Sequence, residues 1–245
     1  GRGLDAYALS QMLHQIFDPV ELEYGSQESA ELYDGIFAGG VPVVEDVEAL
    51  ADQIASSTLP KGDTLMFRQM TGDLLYYLST RSGEGFKEGL GYLIEEHILS
   101  RPQIWRTADD SLKVVGFAGI MNDLLSKSKP GTRIADIKVS GHKVTWKGEK
   151  PYRRSLKKLR SDRNITIFYT EGCNICDAEK KAARDLAGAD KDVTVLMVNV
   201  DNIMRTDPSL ASRLFDTFDL SSLPYIIETN RKCLIQRRYT SLVVR

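Results

Sequence analysis

The residues best suited to chemistry are two cysteines three positions apart, Cys173 and Cys176, in the stretch Gly172-Cys173-Asn174-Ile175-Cys176. Immediately upstream, residues 165–169 are β-branched and aromatic, which predicts a buried strand. Immediately downstream, residues 173–186 predict a helix. The pair therefore falls where a strand gives way to a helix. The first helical turn carries unpaired N–H groups and the positive end of the macrodipole, which favours the thiolate of a cysteine placed there. Gly172 permits the sharp turn. Cys176, one turn on, reaches the same side and can attack a mixed disulfide formed by Cys173. The pair can then cycle between dithiol and disulfide.

Other readings of the pair are a structural disulfide, two inert thiols or a metal site. Zinc takes about four ligands, yet the chain has no second C-x-x-C, and His14, His97 and His142 are scattered. No metal and no bound cofactor is expected. Thr170 completes a T-x-x-C pattern of peroxide-reducing proteins, but these also need a Pro four positions earlier, where Thr166 stands. Asp177 and Glu179 suit a helix start and disfavour a nearby thiolate. Glu171, next to the turn, is expected to be exposed. The third cysteine, Cys233, reads as a buried small residue in a strand.

The elements around the pair alternate. Residues 134–139 and 143–147 read as two short strands around a Ser140-Gly141-His142 turn, and residues 152–159 as one or two helical turns. After the strand at 165–169 and the helix come a strand at 193–200, a helix at 208–218, and strands at 224–229 and 233–239. This order predicts parallel pairing with an antiparallel closing hairpin.

Residues 129–245 resemble the thioredoxin superfamily, in particular the bacterial envelope thiol–disulfide oxidoreductases that carry an extra hairpin before the core. The matching stretches are Gly131-Thr-Arg-Ile-Ala-Asp136, 165–169, Glu171-Gly-Cys-Asn-Ile-Cys176, Ser222-Leu-Pro224-Tyr-Ile-Ile-Glu228 and the tail 230–239. The resemblance implies that Cys173 and Cys176 are catalytic. It also implies that Pro224, 51 residues after Cys173, is cis and that it aligns a substrate chain through the backbone of Leu223. It further implies protein thiol or disulfide substrates, an electron-donor protein, and a periplasmic or cell-envelope location. Three positions depart from the family: no Trp at 172, no Pro at 175, and Ile167 where many members bury an acid. These departures suit an alternative, a thioredoxin-fold binding or scaffold module with little redox activity.

The first half differs. Apolar residues recur near a helical period over 4–17, 27–37, 45–57, 86–99 and 110–125, with Asp63 capping a longer helix whose stripe runs from Leu65 to Leu78. No strand-like alternation precedes about residue 134. Gly83, Gly85, Gly89 and Gly91 lack the strand context of a phosphate loop and read as helix irregularities or packing positions. The polar turn at 127–131, with its Pro130-Gly131 pair, marks a junction. The expectation is an all-α domain at 1–128 and an α/β thioredoxin-like domain at 129–245, a central mixed sheet flanked by helices with a lead hairpin. The layout resembles two-domain envelope proteins whose helical part has no assigned activity.

Composition agrees with this division. The 245 residues are 42% apolar and 27% charged, which excludes a disordered or fibrous chain. Residues 1–128 carry a net −11 and residues 129–245 a net +9. Residues 143–163 hold nine basic side chains against Glu149 and Asp162, with Trp146 and Tyr152 interleaved. The reading is a solvated edge rather than a nucleic-acid site. No apolar run approaches the length of a membrane span. An export signal or lipid anchor is expected, if present, upstream of Gly1.

Overall fold

A computed structural model describes residues 20–243 of the chain. The expected helix at 4–17 lies outside them. The chain divides into two compact units, with the boundary between Asp123 and Leu124.

The first unit is helical. Ser26 starts α1 (Gln27–Ile36) by accepting the Ser29 N–H at 3.1 Å. Helix α2 (Val44–Thr58) buries Val47, Ala51 and Ile54. Asp63 caps α3 (Thr64–Ser79) by accepting the Met66 N–H at 3.0 Å; of its expected stripe Phe67, Leu74, Leu75 and Leu78 are fully buried, whereas Leu65 and Met66 in the first turn are exposed. Helix α4 (Glu84–Leu93) runs on into a wider π-type turn, Ile94–Leu99. A second such turn, Ser111–Gly116, leads into α5 (Phe117–Ser126). Gly85 and Gly89 of α4 are packing residues. A Cβ on Gly85 would sit 1.6 Å from the Pro42 carbonyl oxygen, and one on Gly89 would sit 2.4 Å from Val47. A buried ion pair, Arg68 to Asp110 at 2.6 Å, crosses this unit, and Tyr24 donates a further hydrogen bond to Asp110 at 2.6 Å.

The second unit is a six-stranded mixed sheet with helices on both faces, as the resemblance implies. Its strands are β1 (Lys138–Thr145), β2 (Gly148–Ser155), β3 (Arg163–Tyr169), β4 (Val193–Asn199), β5 (Tyr225–Thr229) and β6 (Ile235–Arg238), in the order β2-β1-β4-β3-β5-β6. Only the β3–β4 pair is parallel. Helices α6 (Asn174–Ala189), α7 (Val200–Thr206) and α8 (Pro208–Thr217) complete it. Strand alternation sorts the core. Ile165, Ile167, Tyr169, Val195 and Met197 face the α6 side with Cys176 and Ala183. Phe168, Leu196 and Val198 face the α7–α8 side with Ile203, Leu214 and Phe218. Each such large side chain stabilises by roughly 1.5–3 kcal/mol. That two-sided burial makes the central strands rigid supports for whatever sits at their ends.

Three local expectations change. The lead hairpin turns at Trp146-Lys147, not at Ser140–His142, and Thr145 pairs with Gly148. Gly141 lies inside β1, where a Cβ would approach the Met197 carbonyl oxygen to 2.4 Å. It is a close-approach glycine, not a turn glycine. Tyr152 is accordingly in a strand, and the only helical turn of 152–159 is Leu156–Lys158. Cys233 is buried as expected, but in a turn with φ +64°, its thiol donating to the Lys157 carbonyl at 3.3 Å.

Candidate active site

Strand β3 ends at Tyr169, and α6 begins five residues later, at Asn174. Gly172 makes the turn at φ +71°, a conformation that favours glycine. Cys173 is the N-cap of α6. Its Sγ accepts the Cys176 N–H at 3.1 Å, so sulfur takes the place usually held by a serine or aspartate oxygen. Cys173 is half-buried and Cys176 is fully buried; both are free thiols. The reachable sulfur therefore stands in front of the hidden one.

The environments of the two sulfurs differ. Burial, and then the hydrogen bond with Cys173, push the Cys176 thiol up to about 11. Lys180, one turn along α6, opposes this by its charge. Its ammonium lies 3.9 Å from the centre of the Tyr169 ring and 3.5 Å from Asp177. Asp177 is thus engaged by a lysine. Glu179, expected near the helix start, is buried and turned to the C-terminal segment, where its carboxylate accepts the Leu242 N–H at 2.7 Å and the Ser241 hydroxyl.

The turn is anchored from the next strand's end. Asp201, in the first turn of α7, accepts the Thr170 hydroxyl and, at 3.3 Å, the Glu171 N–H. Glu171 is exposed, and its carboxylate accepts from the Asn199 side chain at 2.9 Å. A cleft of about 340 Å³ opens beside Glu171, lined in part by Tyr169, Asn199, Asn202, His142 and Arg153. Nothing in the spacing of Asp201 announces this role, since the contact spans 31 residues.

Leu223 and Pro224 lie on the other side of β3. Phe168 pairs with Tyr225. One further step of that antiparallel register sets Pro224 beside Tyr169, at the end of the strand that leads into Cys173. The Leu223–Pro224 peptide is cis, and the Leu223 side chain packs against the α7–α8 core. The loop before them is held by Asp219, which is buried. It accepts the Ser221 N–H at 3.2 Å, the Ser221 hydroxyl, and the Tyr239 hydroxyl at 2.8 Å. Burial and the Asp219 charge hold the Tyr239 phenol far above its ordinary value. Among the described residues, no group of three or more His, Cys, Asp or Glu is placed to hold a metal ion.

No family profile and no curated protein matches the sequence. Solved structures do. A thioredoxin-like protein from Bacteroides caccae superposes with a TM-score of 0.51 at 15% identity, over 81% of this chain and 74% of its own. The thioredoxin domain of a thiol-disulfide oxidoreductase from Bacteroides vulgatus covers 46% of this chain and 89% of its own at 13% identity, with a TM-score of only 0.31, too loose to carry an argument. The fold of this chain is thioredoxin-like.

Proposed function

We propose that this thioredoxin-fold chain exchanges disulfides with protein substrates through Cys173 and Cys176 in a bacterial cell envelope. The observation that carries the reading is the Cys176 N–H aimed at Cys173 Sγ at 3.1 Å, at the head of α6. A thiolate at Cys173 accepts that N–H as a charge-assisted bond.

In the forward direction the Cys173 thiolate attacks one sulfur of a substrate disulfide. A Cys173–substrate disulfide forms and one substrate thiolate leaves. The substrate thiolate released in the first step takes the Cys176 proton, and the Cys176 thiolate attacks Cys173 Sγ. The mixed disulfide breaks, the second substrate thiolate leaves, and a Cys173–Cys176 disulfide remains. The substrate gains two electrons and the pair loses two; a partner dithiol protein restores them. The high pKa of buried Cys176 keeps it protonated until the mixed disulfide has formed. The backbone of Leu223 and the ring of Pro224 flank the path of the substrate chain.

The test is insulin reduction under a dithiol reductant, with Cys173→Ser and Cys176→Ser variants beside the parent chain. The parent should turn over. Cys176→Ser should accumulate mixed disulfides, whereas Cys173→Ser should be inert and trap nothing. A parent chain without turnover, whose Cys173 also resists mild alkylation, would leave a binding or scaffold module instead.

A further inference from the structure

The β1–β2 hairpin presents cations that the fold leaves unpaired. Lys143 and Lys150 stand directly opposite each other across the two strands, an arrangement that costs stability. Arg154 follows on the same face by strand alternation, and Lys147 sits in the two-residue turn. Lys147, Lys150, Arg153 and Arg154 are exposed and Lys143 is half-buried. None of the five makes an ion pair among the described residues. Nearby acids are committed elsewhere: Glu149 to Arg184 at 3.3 Å, Asp136 to the Ser155 hydroxyl at 2.5 Å, and Asp162 to Arg231 at 2.7 Å. Burial, with Lys150 and Arg154 beside it, lowers the Lys143 ammonium from its ordinary value. The charges are close enough to repel.

The turn also exposes an indole. Trp146 is 56% exposed at the tip, with the Lys147 ammonium 5.4 Å from its ring centre. A large apolar ring on a hairpin tip with cations around and behind it suits the boundary between lipid headgroups and acyl chains. There the ring buries its apolar body and the cations meet anionic headgroups. A nucleic-acid strand asks for a groove along its backbone and several stacking rings in series, and this hairpin exposes one large ring, Trp146, since Tyr152 is buried.

We infer that the β1–β2 hairpin docks this unit onto an anionic lipid surface, with Trp146 inserted at the interface and Lys143, Lys147, Lys150 and Arg154 facing the headgroups. The inference is independent of the thiol chemistry. It also accounts for Lys150 on the edge strand β2 standing opposite a second lysine, Lys143 on β1, where an acid at either position would blunt the edge equally well.

The test is co-sedimentation of the full chain with vesicles of phosphatidylcholine, or of phosphatidylcholine and phosphatidylglycerol in equal parts. Binding should require the anionic lipid and fade at high salt. The chain has two tryptophans, and the other, Trp105, is buried. A blue shift of tryptophan emission on binding, absent in Trp146→Ala, would therefore report the tip. Lys147→Glu/Lys150→Glu alters exposed side chains only and should weaken partitioning by at least about twentyfold. Three results would overturn the inference: equal binding to both vesicles, sedimentation with no change in Trp146 emission, or tighter binding to single-stranded DNA than to anionic vesicles at the same salt.

Discussion

The carboxylate of Glu179 holds the backbone N–H of Leu242 at 2.7 Å, tying the C-terminal segment to the helix that begins with the cysteine pair. Leu242 packs against the same core that contains Cys176 and Tyr169. A buried carboxylate one turn beyond a thiol would ordinarily work against a thiolate. Here its oxygens are occupied by donors from another part of the chain, so the acid serves as a clasp.

Glu179→Gln keeps the shape of that clasp and removes its charge. Buried hydrogen bonds to charged groups are worth about 1.5–3 kcal/mol each, and a neutral acceptor retains part of that. The expected loss of unfolding free energy is about 1–2 kcal/mol, read from the urea midpoint; Glu179→Ala should lose more. An unchanged midpoint in both variants would mean the C-terminal segment is not held by this residue.

Sequence legibility followed the kind of signal each residue carries. Strand β3 was plain because burial on both faces demands an unbroken apolar, β-branched run, and the site lies at its end. The helix after it was plain from its period. The hairpin turn was misread because Ser140-Gly141-His142 has turn composition, while Gly141 is there to admit the Met197 carbonyl. Helix α7 was missed: its seven residues are too short to show a period. Glu179 reads in the sequence only as a helix-start acid and Asp201 carries no signal, because polar contacts across 63 and 31 residues leave no trace in local pattern.

The buried thiol sets a pH dependence. The folded value of Cys176, about 11, lies above the ordinary cysteine value of 9.0. The folded state therefore holds this proton more tightly than the unfolded one. Its contribution to stability is complete below about pH 9 and is lost as pH rises toward 11. Urea midpoints should fall across that window in the parent chain, and fall less in Cys176→Ser. Alkylation should follow the same order, with Cys173 modified first near neutral pH and Cys176 only at alkaline pH. Equal labelling of both at pH 7, followed by mass spectrometry of the peptides, would contradict the burial argument.

Two glycines of the helical unit should respond oppositely to the same substitution. Gly85→Ala drives a methyl to 1.6 Å from the Pro42 carbonyl oxygen, a backbone atom that cannot swing aside. Overpacking against backbone should cost about 3 kcal/mol or more. Gly35, inside α1, has nothing within 4 Å of the added methyl, and Ala there should stabilise by about 0.5–1 kcal/mol through helix propensity. Differential scanning calorimetry of the two variants decides it, and a neutral Gly85→Ala would show that the Pro42 carbonyl does not approach α4 this closely.

Asp201 is the residue whose loss should separate positioning from folding. Its carboxylate gathers the Thr170 hydroxyl and the Glu171 N–H, fixing both residues just before the Gly172 turn. Asp201→Asn retains an acceptor oxygen at the same reach, whereas Asp201→Ala retains none. Without an acceptor the turn can drift, and Cys173 leaves its place over the Cys176 N–H for part of the time. A misplacement of this kind should lower insulin-reduction kcat/KM about tenfold in Asp201→Ala, equivalent to about 1.4 kcal/mol, and no more than about threefold in Asp201→Asn. The loss should fall on kcat, because Leu223 and Pro224, which flank the substrate path, are on the opposite side of β3 and keep their own anchor in Asp219. If Asp201→Ala unfolds more easily yet keeps its turnover at a temperature where it is fully folded, the contact is structural, and the turn is set by Gly172 and the α6 cap alone.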